Sequence, residues 1–297
     1  MSPTPRPGGG AGAQPATAPR SWLYVPATHP DRIAKALAGP AEAVVVDLED
    51  AVPAAAKEKA RATACELATA ERPYVVRVNH LASPWGTADL AALAHTPIAG
   101  VRLPKVESPD QVREAAAALG EARPPLYVLL ESALGVERAF EIATAHPQVA
   151  GISLGEADLR ASLRANSDSA LDWSRSRIVT AARAAGLPSP VQSVYTNLSD
   201  DDGLRASSEQ GRAMGFFGRS VIHPKQVATV HAAYTPSSQE RQHAAELLAG
   251  LDTAETAGSS AYLTADGRFV DPAVVDAARA VLAVAEPASQ PKGPPIE

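Results

Sequence analysis

Short aliphatic runs recur along the chain, over residues 22–25, 43–46, 74–76, 100–103, 126–130, 150–154, 190–194 and 216–222. Most begin about 25–30 residues apart, the span of one strand and its crossover helix. Each run is rich in Val, Ile and Leu and breaks off sharply, as strands buried on both faces of a parallel sheet do. The segments between them read as helices. Residues 31–37 form one. A second starts at Ser108, with Pro109 in the first helical position, and a third, over 172–185, is closed by Gly186 and Pro188. Eight such units predict an α/β fold of the (β/α)₈ TIM-barrel type. An open doubly wound sheet is the alternative, but it calls for a Gly-rich phosphate loop after an early strand, and the sequence has none.

The pattern changes after His223. Residues 224–234 and 237–251 read as helices, 262–270 as a hairpin turning at Asp266-Gly267, and 273–284 as a last helix. The expected organisation is a disordered tail over 1–19, a barrel catalytic domain over 20–235, a helical and hairpin appendage or lid over 236–286, and a second disordered tail over 287–297. Both tails are rich in Pro.

The ends of the runs are polar: Asp47 with Glu49 and Asp50, Arg77 with Asn79, Lys105, Glu131, Asp158, Tyr195 and His223. In a (β/α)₈ barrel the reactive groups sit at the C-terminal ends of the strands, so polarity repeated there points to a site. Glu131 and Asp158 end neighbouring runs and suit a hard divalent cation whose shell is completed by water and substrate oxygens; two solvated surface acids are the alternative. Arg77, between two valines, suits either a clamp on a substrate carboxylate or a buried ion pair. The turn Gly155-Glu156-Ala157 offers free backbone amides to an anion at a helix start. Asp47, Glu49 and Asp50 put three acids in four positions, one of them set to orient a metal-bound water or to pair with Arg77 or Lys105, while Glu49 and Asp50 suit helix-start acids equally well. Lys105 suits a charge partner ahead of a Schiff base, and His223 a structural role ahead of a general base.

Composition narrows the classes. The chain has 297 residues and a net charge of −6, without a basic stripe, which argues against nucleic acid as a partner. Cys65 is the one cysteine, so neither an internal disulfide nor a thiolate cage is available. No apolar run reaches the roughly 20 residues that span a bilayer, and the N-terminus lacks the pattern of a secretory signal. A cytoplasmic protein with no membrane partner is expected.

Taken in order, the strings Arg20-Ser21-Trp22-Leu23-Tyr24-Val25-Pro26, Asp47-Leu48-Glu49-Asp50-Ala51-Val52, Arg77-Val78-Asn79, Leu103-Pro104-Lys105, Glu131-Ser132, Gly155-Glu156-Ala157-Asp158-Leu159 and Gly218-Arg219-Ser220-Val221-Ile222-His223-Pro224 resemble the HpcH/HpaI aldolase and citrate lyase superfamily, in its citrate lyase β-subunit-like branch. The resemblance implies a Mg²⁺-dependent carbon–carbon lyase, with Mn²⁺ as a substitute ion. Its substrate would be a CoA thioester such as malyl-CoA, methylmalyl-CoA, citramalyl-CoA or citryl-CoA, with a small keto-acid as the other partner. It implies Glu131 and Asp158 as metal ligands, Arg77, Asp271 and Asp47 as catalytic residues, and the amides of Glu156 and Ala157 as the seat of the keto-acid carboxylate. Asp271 would act as acid/base from a neighbouring subunit of a homo-oligomer, a trimer or hexamer. Arg20 and residues 219–224 would contact CoA. Ala27, Gln192, Tyr195, Asn197 and Arg219 depart from the family's usual residues on the substrate side. The same site in relatives also supports thioester hydrolysis, and non-catalytic members occur as subunits of larger complexes.

Overall fold

The computed structural model describes residues 18–69, 71, 73–120, 124–256, 261–264 and 266–284. The disordered tails expected over 1–19 and 287–297 fall almost wholly outside the described residues. The chain divides into two compact units, one over Pro19–Tyr234 and one from Thr235 onward.

In the first unit the elements alternate: β1 (Ser21–Pro26), α1 (Pro30–Ala38), β2 (Ala43–Asp47), α2 (Lys57–Glu66), β3 (Val75–Arg77), α3 (Gly86–Leu93), β4 (Gly100–Leu103), α4 (Pro109–Leu119), β5 (Leu126–Leu130), α5 (Ala133–Glu137), α6 (Ala139–Ala143), β6 (Val149–Leu154), α7 (Glu156–Leu163), α8 (Asp172–Ala184), α9 (Asp201–Ala213), β7 (Arg219–Val221) and α10 (Gln226–Tyr234). The seven strands are all parallel, in the order β6-β5-β4-β3-β2-β1-β7.

Strand periodicity divides the side chains between two faces. Leu23, Val25, Val44, Val46, Val76, Val101, Leu103, Val128, Leu130, Ile152 and Leu154 point outward into the main core beneath the helices. Trp22, Val45 and Val75 point to the other face, where Tyr24 and Tyr127 pack with them. The helix predicted from Ser108 begins there: Ser108 Oγ accepts from the Gln111 amide, the Gln111 side chain answers the Ser108 amide, and Pro109 takes the first turn.

One predicted strand does not form. Residues 190–194 lie outside the seven named strands and make only isolated bridges, Val191 to Ser153 of β6 and Gln192 to Arg219 of β7. Pro190 has no N–H to donate, and the run is held instead by single bonds. Phe217 N donates to Pro190 O, Gln192 N to Gly218 O and Ser220 N to Gln192 O, each at 2.9 Å. The same short segment therefore touches both edge strands, and the sheet curls. The last predicted run, 216–222, shortens to Arg219–Val221 because Gly215 and Gly218 adopt φ of 97° and 78° beside it.

The second unit contains α11 (Ser238–Thr256), an antiparallel pair β8 (Tyr262–Leu263) and β9 (Phe269–Val270), and α12 (Pro272–Ala283). Its small core gathers Leu251, Val270 and Val275 with Leu247, Leu248, Tyr262 and Val274. The hairpin turns at Gly267, whose φ is 82°.

Candidate functional site

The C-terminal ends of β2, β3, β4, β5 and β6 bring a dense set of charges together. Asp47 closes β2 and is 2% exposed. It grips Arg77, the last residue of β3, in bidentate fashion: Nε and Nη2 of Arg77 donate to its two oxygens at 2.7 Å each. The amides of Glu49 and Ala51 also donate to Asp47, at 2.9 and 3.4 Å. These bonds make Asp47 a holder of the Arg77 fork. Nη1 of Arg77 lies 2.9 Å from Glu49 Oε2 and 3.3 Å from Asp50 Oδ2, and the guanidinium lies over the Tyr24 ring at 5.2 Å. The Glu49 contact is ionic, since that oxygen has no aligned hydrogen-bond donor.

Lys105 follows β4 with a left-handed backbone, φ 54°. Its amide donates to Glu131 Oε1 at 2.7 Å. Its ammonium bonds Glu49 and lies 3.3 Å from Asp50 and 3.6 Å from Asp158. Burial works against that charge, but the hydrogen bond to Glu49 and the fields of Glu49, Asp50 and Glu131 outweigh it and hold the Lys105 proton above its usual range.

Glu131 stands just past β5, 6% exposed. Burial, reinforced by the charges of Glu49 and Asp158, pushes its carboxyl up to about 7. The close approach of β6 is possible because Gly155 has no side chain: a Cβ there would sit 2.6 Å from Glu131 Cβ. Asp158 lies in the first turn of α7, its side chain about half exposed. Glu131 and Asp158 both line a cavity of 540 Å³, together with Arg77, Tyr24, Ser153 and the 155–157 turn.

This donor set fits a hard cation. The two acids supply oxygen ligands, and five carboxylates, Asp47, Glu49, Asp50, Glu131 and Asp158, outnumber the two cations Arg77 and Lys105. The raised carboxyl of Glu131 reflects its burial first and the neighbouring charges of Glu49 and Asp158 second. Among the described residues no group of three or more His, Cys, Asp and Glu side chains is arranged to hold an ion. A cation here therefore takes the rest of its shell from water or from ligand oxygens, which is the habit of Mg²⁺.

The other expected residues separate. Glu156 is fixed from behind: Arg175 of α8 donates to it at 2.9 and 2.6 Å and also binds Asp168 and Asp172. The Glu156 amide donates to Ser193 Oγ at 3.3 Å, and Glu156 and Ala157 both line the cavity. Arg20 lies at the opposite, N-terminal end of β1, about 20 Å from the strand mouth at the usual rise, and is ion-paired with Glu42. The Arg219 side chain binds Ser193 O, Leu204 O, Ser207 and Ser208 inside the fold. Gln192, another departure, bonds Ser207 O and Tyr234. Asp271 belongs to the second unit, where it caps α12 by accepting from the Val274 amide at 3.0 Å. A second cavity, of 470 Å³, shares Tyr24, Pro26, Arg32 and Ile222 with the first and adds Lys35 and His223.

Sequence reasoning passed over Tyr24, Ser153, Arg102 and Arg175. The inward alternation of β1 and β6 signals the first two. Arg175 has no local signal, because Glu156 lies 19 residues away.

Three similarities bear on the chain. It is 38% identical over 274 residues to a (3S)-malyl-CoA thioesterase of Cereibacter sphaeroides, with 90% of this chain and 94% of that protein covered. It is 33% identical over 282 residues to citrate lyase subunit beta of Leuconostoc mesenteroides, covering 90% and 93%. The crystal structure of CitE from Mycobacterium tuberculosis, in complex with magnesium, acetoacetate and coenzyme A, superposes with a TM-score of 0.78 at 34% identity, covering 90% of this chain and 98% of that one. The HpcH/HpaI aldolase/citrate lyase model matches residues 20–224, and the chain belongs to that family.

Proposed function

We propose that this protein is a Mg²⁺-dependent lyase that breaks or forms the carbon–carbon bond of a β-hydroxyacyl-CoA thioester, on a (β/α)₈ barrel whose eighth position is filled by residues 190–194. The observation that carries the reading is the meeting of Glu131, Asp158 and the braced Arg77 in one cavity. The CitE structure with magnesium, a keto-acid and CoA supports it.

Glu131 and Asp158 would hold the ion. Bound Mg²⁺ supplies Lewis-acid stabilisation for oxygens on which negative charge develops. In the cleavage direction the β-hydroxyl loses its proton, the bond between the α- and β-carbons breaks, and its electron pair passes to the thioester as an enolate. Protonation of the α-carbon then gives the acyl-CoA, and the keto-acid leaves. Arg77, fixed by Asp47, presents its remaining N–H groups to the thioester oxygen where enolate charge collects. The turn at Glu156 and Ala157 receives the keto-acid carboxylate, the Glu156 amide giving up its 3.3 Å bond to Ser193 Oγ to do so. Asp271 of a second copy moves the proton, which requires a homo-oligomer. The second cavity, with Arg32, Lys35 and His223 beside apolar Leu23 and Ile222, suits the phosphates and the pantetheine arm of CoA.

A second reading is hydrolysis of a malyl-type thioester on the same residues, favoured by the 38% identity to the malyl-CoA thioesterase. A panel of β-hydroxyacyl-CoA thioesters assayed with Mg²⁺ separates the two. Keto-acid release without free thiol is expected, thiol release without keto-acid establishes the hydrolase, and Glu131→Gln abolishes either.

A further inference from the structure

Arg102 is the most buried cation among the described residues, 1% exposed. It stands beside Arg77 in the register of β3 and β4, and both guanidinium groups lie against the Tyr24 ring, at 5.7 and 5.2 Å. Their surroundings differ. Arg77 has three carboxylates around it. Among the described residues Arg102 has none within ion-pair distance, and its Nε meets no acceptor. Its hydrogen-bond acceptors are two hydroxyls, Tyr24 at 2.7 Å and Ser153 at 3.1 Å, and the Trp22 ring lies 5.3 Å away. A charge this deep without an anion is costly to keep.

Tyr24 and Ser153 line the 540 Å³ cavity, whereas Arg102 lies behind them. A hydroxyl that accepts from a guanidinium keeps its own proton to give, and the cation polarises it. Arg102 thus polarises two neutral hydroxyls that line the cavity, and among the described residues no carboxylate lies within ion-pair distance of it to answer its charge.

We propose that Arg102, through Tyr24 and Ser153, is a positioning residue that selects keto-acids carrying a second carboxylate. The assignment rests on the keto-acid reading above. The α-keto-carboxylate end belongs to the cation and the 155–157 turn, so the group that meets the Tyr24 and Ser153 hydroxyls is at the far end of the acid. A methyl there leaves both donors unanswered; a carboxylate satisfies them and neutralises Arg102.

Calorimetric titration of the full-length protein with oxaloacetate and with pyruvate, both in saturating Mg²⁺, tests the assignment. Wild type is expected to bind the dicarboxylic acid about tenfold more tightly or better, the effect of one charge-assisted hydrogen bond. Tyr24→Phe and Ser153→Ala each reduce that ratio, and the double variant brings it near one. Arg102→Met is expected to do the same; the two hydroxyl deletions keep the test open if that variant does not fold. A purely structural Arg102 network lowers the melting temperature but leaves the ratio intact, and that result overturns the assignment, as does a wild type that binds both acids equally. Failure of wild type to bind either acid removes the lyase reading together with this one.

Discussion

Glu131 links the proton and cation economies of the site. Its carboxyl, pushed up to about 7, has a folded-state value above the ordinary 4.5, so the proton favours the fold. That contribution is complete below about pH 4.5 and is lost as pH rises through about 7. The ion-free protein should therefore lose stability across that window, and Mg²⁺ should restore it, because binding requires the ionised acid. Mg²⁺ affinity is expected to rise about tenfold between pH 6 and pH 8, following the ionised fraction of a group that titrates near 7. Titration calorimetry at the two values checks this, and the thermal shift on adding Mg²⁺ should be larger at pH 8. At this scale the sequence was legible where the side chain ends a strand. Glu131, Asp158, Arg77 and Asp47 all line the cavity. What stayed open was the use of each group. A pairing of one of the acids at 47, 49 and 50 with Arg77 or Lys105 was legible, but the choice of Asp47 for Arg77 is made by bonds between residues 30 apart, and Arg219 and Gln192 turn inward to neighbours that no local pattern names.

Among the elements, the strands were legible because burial on both faces leaves a run of aliphatics with few alternatives. The segment 190–194, Pro190-Val191-Gln192-Ser193-Val194, reads as a strand on two valines but does not form one. A strand needs successive N–H donors, and a run opened by Pro188 and Pro190 is held by isolated bridges and by the Gln192 side chain. The junction of β6 with α7 shows how tightly an element end can be specified. Gly155→Ala would drive a methyl into the Glu131 side chain, so Mg²⁺ affinity at pH 8 should fall by about tenfold or more, the loss of a well-placed charged ligand. Gly151→Ala, four residues earlier, meets the Tyr127 ring at an ordinary 3.5 Å and should leave Mg²⁺ affinity within about twofold of wild type. Equal effects of the two changes would mean that the strand, and not the approach to Glu131, is what the glycine serves.

For the whole molecule, two compact units carry one proposed reaction. The chain divides after Tyr234, a little beyond His223, where the strand and helix alternation ends in the sequence; the proposed use of Asp271 in another copy's cavity is a matter of assembly, and a single sequence does not encode a partner's position. Asp271 caps α12, so replacing it by Ala removes a cap worth about 1 kcal/mol along with any acid/base role. Asp271→Asn keeps the cap and isolates the chemistry. It is expected to lower kcat by roughly 10²–10⁴-fold while leaving the melting temperature close to wild type. Mixing inactive Asp271→Asn and Arg77→Ala chains should then restore part of the activity if the aspartate works in a neighbour's cavity. No recovery after demonstrated subunit exchange would place it elsewhere.

Lys105 shows what such compaction entails. One residue with a left-handed backbone both aims its amide at Glu131 and delivers the ammonium that sits among Glu49, Asp50 and Asp158. Glycine would adopt the bend more readily but forfeits the charge; arginine would keep the charge but not its compact shape. Backbone bend and ammonium are thus vested in one side chain, so any substitution at Lys105 disturbs the Glu131 contact, the charge cluster, or both.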